Sequence, residues 1–260
     1  MASDPIIVFD NVGVRLGDDQ IYDRLSFDVR RGEFVCILGP SGCGKSTALR
    51  IIGGLLEITT GRVQVAGRAP AEAWADIAFV FQSPRLVPWR TALDNVLLGA
   101  QLRFGAGDKE KRQKHAVELL NLVGLAADTG KYPSMLSGGE RQRVSIARAL
   151  AVDPQIVLMD EPFSALDPNM RGRMRAEMER IWLETSKTVV FVTHDIDEAL
   201  QLADRTVVLS NKPTRVLEAV EFKTARPRGG ASHELDSQRE KLVKLFRSLE
   251  ATSSEKETIA

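Results

Sequence analysis

The stretch Gly39-Pro40-Ser41-Gly42-Cys43-Gly44-Lys45-Ser46-Thr47 constrains this chain more than any other. It follows an apolar run, Phe34-Val35-Cys36-Ile37-Leu38, and opens into Ala48-Leu49-Arg50-Ile51-Ile52. That order predicts a strand, a glycine loop and a helix, the context in which a loop can wrap an anion. Glycines let the backbone curl until several N–H groups converge on one point. The N-terminus of the following helix adds roughly half a positive charge. Lys45 can reach the β- and γ-phosphates of a nucleotide, and the Ser46 hydroxyl is a natural Mg²⁺ ligand. The plainer alternative is a glycine turn before a helix. The flanking strand and helix weigh against it.

Composition narrows the classes. The chain has 260 residues and is 43% hydrophobic, enough for one large domain or two small lobes. Lysine plus arginine (35) balances aspartate plus glutamate (35). A net charge of zero argues against nucleic acid as the main partner, which would call for a basic field. Of the two cysteines, Cys36 lies in an apolar run and Cys43 in the glycine loop. Neither reads as half of a disulfide, which fits a reducing compartment. The start Met1-Ala2-Ser3-Asp4-Pro5 lacks the basic-then-apolar pattern of a leader. No apolar run approaches the ~18 residues of a membrane span, so a membrane role is expected to go through a partner.

Hydrophobic patterning predicts strands at Ile6 to Phe9, Leu25 to Val29, Arg62 to Ala66 and Asp76 to Phe81. Phe34 to Leu38 is apolar without alternation, as a central parallel strand should be. After a proline-punctuated loop, Ser83 to Arg90, helical patterns follow at Thr91 to Leu102, Asp108 to Val123 and Ser137 to Val152. Thr91 is placed to cap the first of them, with Asp94 as its reciprocal partner. This block, about 83–154, reads as a helical lobe inserted into an α/β core. Strands resume at Gln155 to Met159 and Thr188 to Val192, separated by an amphipathic helix, Asn169 to Leu183. That alternation is the βαβ signature of a parallel sheet. Thr206 to Leu209 and Arg215 to Val220 read as a short strand pair. Residues 223–232 read as a linker and 233–250 as a helix with Leu235, Leu242, Phe246 and Leu249 on one face. That helix reads as packing, with a regulatory or dimer contact as the alternative. Residues 251–260 are polar and expected to fray.

Three further motifs carry chemistry. Ile156-Val157-Leu158-Met159-Asp160-Glu161 delivers two carboxylates to the C-terminal edge of a sheet, where α/β proteins bind ligands. Asp160 is suited to hold Mg²⁺, and Glu161 to polarise the water attacking a γ-phosphate. A solvated acidic turn is the bland alternative. Leu136-Ser137-Gly138-Gly139-Glu140 opens a helical pattern and makes a second anion site, or else an ordinary serine N-cap. Two anion sites on different lobes suggest that two subunits share each nucleotide. His194 and Gln82 each end a predicted strand. His194 can hydrogen-bond a γ-phosphate, although a lone histidine is more often structural. Gln82 can reach Mg²⁺ or the attacking water. Asp167 either crosses a subunit interface or caps the helix that begins at Pro168.

Together these residues resemble the ATP-binding subunit of an ABC transporter, over roughly residues 5–222. Gly39 to Thr47 match the Walker A motif, Gln82 the Q-loop, and Leu136 to Glu140 the signature, with Glu140 where glutamine is usual. Ile156 to Glu161 match Walker B with its catalytic glutamate, Ser164 to Asp167 the D-loop, and His194 the switch histidine. The resemblance implies a P-loop NTPase (RecA-like) core with an antiparallel β subdomain and an inserted helical subdomain. It implies ATP and Mg²⁺ as cofactors. It also implies a head-to-tail dimer with each ATP between Walker A of one subunit and the signature of the other. Ser46, Gln82 and Asp160 would organise Mg²⁺, and Ser137, Gly138, Gly139, Glu140 and Asp167 would complete the partner's site. Leu16 stands where the family usually stacks adenine on an aromatic, with Tyr22 further along.

The texture of Val80-Phe81-Gln82, Leu86-Val87-Pro88-Trp89-Arg90, Leu93-Asp94-Asn95-Val96, Trp182-Leu183-Glu184-Thr185 and Thr193-His194-Asp195-Ile196-Asp197-Glu198-Ala199 is similar to the nitrate, sulfonate and taurine importer group. Its expected partners are membrane permease subunits and, indirectly, a periplasmic solute-binding protein, at the cytoplasmic face of the inner membrane. Pro88 and Trp89 either face the permease or pack the helical lobe. An exporter or lipid-trafficking ATPase is the alternative, and a non-transport ABC ATPase a more distant one.

Overall fold

The computed structural model describes residues 4–105, 107–228 and 233–259, apart from the side chains of 250–259. In chain order its elements begin with β1 (Pro5–Leu16), β2 (Asp19–Arg30), β3 (Phe34–Leu38), α1 (Lys45–Ile52) and β4 (Thr60–Val65). Next come β5 (Ile77–Val80), α2 (Ala92–Phe104), α3 (Lys109–Leu122), α4 (Gly138–Leu150), β6 (Ile156–Asp160) and α5 (Pro168–Thr185). The last are β7 (Thr188–Thr193), α6 (Ile196–Leu202), β8 (Arg205–Leu209), β9 (Val216–Glu221) and α7 (His233–Ile259). The chain divides into two compact units, one built from Met1–Trp74 with Thr188–Ala260, the other from Ala75–Lys187.

The first unit holds two sheets. An antiparallel sheet runs β2-β1-β4, and a second runs β7-β3-β8-β9. In the latter, β3 is parallel to β7 and to β8, and β9 closes the edge antiparallel to β8. Every residue of β3, β7 and β8 is buried, as expected for parallel strands covered on both faces. A buried ion pair fastens the β3–β8 start. Arg205 donates to both carboxylate oxygens of Glu33, at 2.8 and 3.1 Å, and Glu33 also accepts from the Arg30 N–H at 2.7 Å.

The stretch read as a linker is partly tied down. Arg228, nearly buried, donates to the carbonyls of Thr224 (2.9 Å) and Leu200 (3.1 Å), and Arg226 to that of Leu202 (2.6 Å). Residues 229–232 lie outside the described residues. The helix α7 runs to Ile259, beyond residue 250 where the sequence pattern ends it and a frayed tail is expected. Its extension, Ala251 to Ile259, contains no glycine or proline to stop a helix. α7 lies against α6: Leu242 and Leu249 are buried, Arg239 pairs with Asp197, and Asn211 donates to the Leu249 carbonyl at 3.0 Å. Packing is therefore its observed role within this chain.

The second unit pairs β5 and β6 in parallel and packs α2, α3 and α4 together. It contains the helical block read from the sequence together with β5, β6 and α5. Helix ends follow their caps. Thr91 Oγ1 accepts from Asp94 N–H at 3.1 Å and donates to the Asp94 carboxylate at 2.8 Å, and Asp108 caps α3 through Lys111 N–H at 3.0 Å. Among the described residues no helix is long and apolar enough to cross a membrane.

Candidate active site

In the first unit the phosphate-binding candidates leave the C-terminal edge of β3. Leu38 pairs with Thr193 of β7, so the loop from Gly39 and the residue His194 emerge from adjacent parallel strands at the same level. His194 is exposed. Beside it Asp195 caps α6 through the N–H groups of Asp197 (2.8 Å) and Glu198 (3.3 Å), and buried Thr193 donates to Glu198 at 2.6 Å. Together these bonds fix the turn that carries the histidine.

The loop itself is tightly built. Gly44 has φ of 103°, which a side chain would oppose, and a Cβ there would meet Ile21 and Tyr22 carbons at 2.9 Å. Lys45 is buried, and its ammonium donates to the carbonyls of Gly39 and Pro40, both at 2.9 Å. This folds the lysine back along the loop. Ser46 and Thr47 follow in the first turn of α1. Both cysteines are buried free thiols. Burial pushes the Cys36 and Cys43 thiols up, so both stay protonated and unreactive near neutral pH.

In the second unit the carboxylates end β6. Asp160 is its last residue, and Glu161 takes the left-handed conformation with φ of 44°. A non-glycine residue held there marks local strain, which concentrates at functional sites. Val80 of β5 pairs with Met159 of β6, so Gln82 and Glu161 leave the same sheet edge. A hydroxyl joins them: Gln82 Nε2 donates to Ser164 Oγ at 3.0 Å, and Ser164 Oγ donates to the Glu161 carbonyl at 2.9 Å. Asp167 accepts from Met170 N–H at 3.0 Å and so caps α5.

The signature stretch closes a full capping box at the start of α4. Ser137 Oγ accepts from Glu140 N–H at 3.3 Å, and the Glu140 carboxylate accepts from Ser137 N–H at 2.7 Å. The Ser137 N–H, as donor, holds the Glu140 carboxyl below the usual carboxylate range. Glutamate in place of glutamine is thus accommodated by the Ser137 N–H at a positive helix end.

Several contributors are silent in the sequence pattern. Gln142, buried in α4, donates to the Phe81 carbonyl at 3.3 Å. Arg148 donates to the carbonyls of Pro84 (2.7 Å) and Arg85 (2.9 Å). Asn95, fully buried, accepts from Val87 N–H at 2.8 Å and donates to the carbonyls of Val87, Arg90 and Thr91. Together they pin the loop after Gln82 and leave Trp89 77% exposed. Asn95 falls in the stretch Leu93 to Val96, which is part of the resemblance to the importer group, but its bonds to the loop are not visible there. Among aromatics, Tyr22 is fully buried, so it offers no face to adenine, whereas Leu16 is 45% exposed at the end of β1.

The donors proposed for Mg²⁺ are hard oxygens: the Ser46 hydroxyl, the Gln82 amide oxygen and the Asp160 carboxylate. They fit an ion that keeps waters and travels with nucleotide phosphates. Among the described residues no cluster of three or more His, Cys, Asp or Glu side chains is placed to hold a metal by itself.

Comparison with known proteins gives one family. The ABC transporter family model matches residues 22–164. The taurine import ATP-binding protein TauB of Rhizobium johnstonii is 50% identical over 195 residues, covering 75% of this chain and 74% of that protein. The aliphatic sulfonates import ATP-binding protein SsuB 1 of Mesorhizobium japonicum is 44% identical over 227 residues, 87% of this chain and 83% of that protein. Among solved structures, the dimeric post-hydrolysis state of the ATP-binding cassette MJ0796 bound to ADP and Pi superposes with a TM-score of 0.72. It is 35% identical and covers 84% of this chain and all of that one. Family model, relatives and solved cassettes agree on a P-loop NTPase fold, and this chain belongs to the ABC transporter family as one of its ATP-hydrolysing cassettes.

Proposed function

We propose that this chain powers an importer, coupling ATP hydrolysis at the cytoplasmic face of the inner membrane to uptake of a small solute through a separate permease. The solute is of the nitrate, sulfonate or taurine kind, reaching the permease on a periplasmic binding protein. The cassette proper is residues 5–222. The observation that carries the reading is the match, along most of the chain, to ATP-binding subunits whose names are those of taurine and sulfonate importers. The exposed Trp89 on a loop pinned from behind by Asn95 and Arg148 supports docking of a partner there.

The residues divide the labour as follows. The loop Gly39 to Thr47 binds the phosphates through its amides, with Lys45 turning from its carbonyl partners to the β- and γ-phosphates. Ser46, Gln82 and Asp160 hold Mg²⁺, which neutralises charge on the phosphates when bound with them. Glu161 orients the attacking water and takes its proton, and His194 contacts the γ-phosphate from the neighbouring strand. Ser137, Gly138, Gly139 and Glu140 of a second copy cover the nucleotide from the other side, and Asp167 lies at that subunit boundary. Such transfer depends on position and charge stabilisation more than on covalent chemistry. The Glu161→Gln variant, incubated with ATP and Mg²⁺ in solubilised host membranes, should co-purify with a multi-span permease identified by mass spectrometry. Recovery of only soluble, DNA-associated or ribosomal partners would overturn the transport reading and leave the ATPase intact.

A further inference from the structure

Beneath the phosphate loop stand two fully buried hydroxyls that no motif includes. Tyr22 of β2 donates from its phenol to the Gly44 carbonyl at 2.5 Å. Thr214, in the turn between β8 and β9, donates to the Cys43 carbonyl at 2.6 Å. The two are coupled through the backbone: Asp23 N–H donates to the Thr214 carbonyl at 3.2 Å, and Thr214 N–H to the Ile21 carbonyl at 2.8 Å. Burial pushes the Tyr22 phenol far up, so it stays protonated and remains a donor. The close approach of Tyr22 to Gly44 leaves no room for a Cβ at that position.

Peptide planarity gives these contacts a direction. A trans peptide sets its C=O and N–H on opposite sides. The Cys43 carbonyl shares a peptide with Gly44 N–H, and the Gly44 carbonyl shares one with Lys45 N–H. Holding both carbonyls from behind turns both N–H groups toward the opposite face of the loop. A hydrogen bond to a carbonyl also polarises its amide and strengthens the N–H as a donor.

We propose that Tyr22 and Thr214 are positioning residues for nucleotide binding, aiming the Gly44 and Lys45 amides at the phosphates from behind the loop. The inference rests on the phosphate-binding reading of Gly39 to Thr47. Because those amides grip ground state and transition state alike, loss of a post should appear in KM and not in kcat. Tyr22 therefore serves the phosphates rather than the adenine.

The test is equilibrium ATP binding and steady-state hydrolysis by the full-length protein carrying Tyr22→Phe or Thr214→Val. Each should weaken ATP binding and raise KM by about three- to tenfold, the effect of one net hydrogen bond, with kcat within about twofold. Thr214→Ser, which keeps the hydroxyl, should restore the wild-type affinity. Phe27→Leu, a packing change in the same sheet at the Phe9–Phe27 stack, should lower the melting temperature and leave affinity unchanged. Folded Tyr22→Phe and Thr214→Val with wild-type affinity would overturn the proposal. If Tyr22→Phe does not fold, the Thr214→Val and Thr214→Ser pair decides. Lys45→Ala separates the premise: if it too binds ATP normally, the phosphate-loop reading fails, and if it alone loses ATP, only the two posts are refuted.

Discussion

The phosphate loop and the loop after Gln82 present opposite solutions to holding irregular backbone. In Gly39 to Thr47 the chain itself is the intended ligand, and glycines at left-handed positions bring it close to its supports, Tyr22 and Thr214. In Phe81 to Thr91 long polar side chains from neighbouring helices reach out to the backbone: Gln142, Arg148 and Asn95 occupy carbonyl after carbonyl. The first loop is shaped by its own composition, the second by its surroundings. The comparison teaches that an anion cradle needs its amides free and so is braced from the back. The loop after Gln82 spends its backbone on internal bonds and presents the Trp89 side chain outward.

The largest expected effect separates turnover at the end of β6 from nucleotide binding at the phosphate loop. Glu161→Gln should lower kcat by about 10²- to 10⁴-fold, the range for a general base, while ATP affinity measured at equilibrium stays near wild type. Lost affinity would place Glu161 in binding rather than in turnover.

Asn95→Ala probes the borrowed support. It orphans the Val87 N–H and removes donors from three carbonyls, so denaturant unfolding should show a loss of about 2–3 kcal/mol. An unchanged midpoint would mean that the loop can brace itself. Arg148→Met keeps the stem and removes the charge-assisted bonds to Pro84 and Arg85. A loss of about 1–2 kcal/mol is expected, with faster proteolysis confined to 82–91.

The smallest effect concerns Glu140. Its folded carboxyl titrates below its ordinary value, so its contribution is fully present above the usual carboxylate range and fades as pH falls through the folded value. Glu140→Gln should cost under about 1 kcal/mol at neutral pH. Its stability should then fall less steeply than that of wild type on acidification, read from urea midpoints at stepped pH. Parallel pH curves would show that the capping carboxylate carries no linkage.

Much of the molecule was legible in the residues themselves. The run Phe34 to Leu38, the glycine loop and the alternation around Asn169 to Leu183 all announced their elements, because local hydrophobic period and backbone freedom act over a few residues. At Ser137 the residues left two readings open, a second anion site or an ordinary serine N-cap, and the reciprocal bond with Glu140 emerged only in the folded chain. Strand register and burial had to come from folding. β1 extends to Leu16 where the pattern ended at Phe9, because pairing with β2 and β4 carries the strand through register shifts that sequence alternation does not encode.

The sequence by itself determined that this chain carries a glycine loop between a strand and a helix, two carboxylates at a strand end and a Ser-Gly-Gly turn before a helix, since each is a local arrangement of adjacent residues. Only the tertiary structure decided that Tyr22 lies under Gly44 instead of offering a face to a base, and that Thr214 reaches back to Cys43. It alone also placed Asn95 and Arg148 behind the loop that bears Trp89. Those contacts join residues far apart in the chain. Their partners are backbone carbonyls, which every residue carries and which therefore leave no trace in the order of side chains.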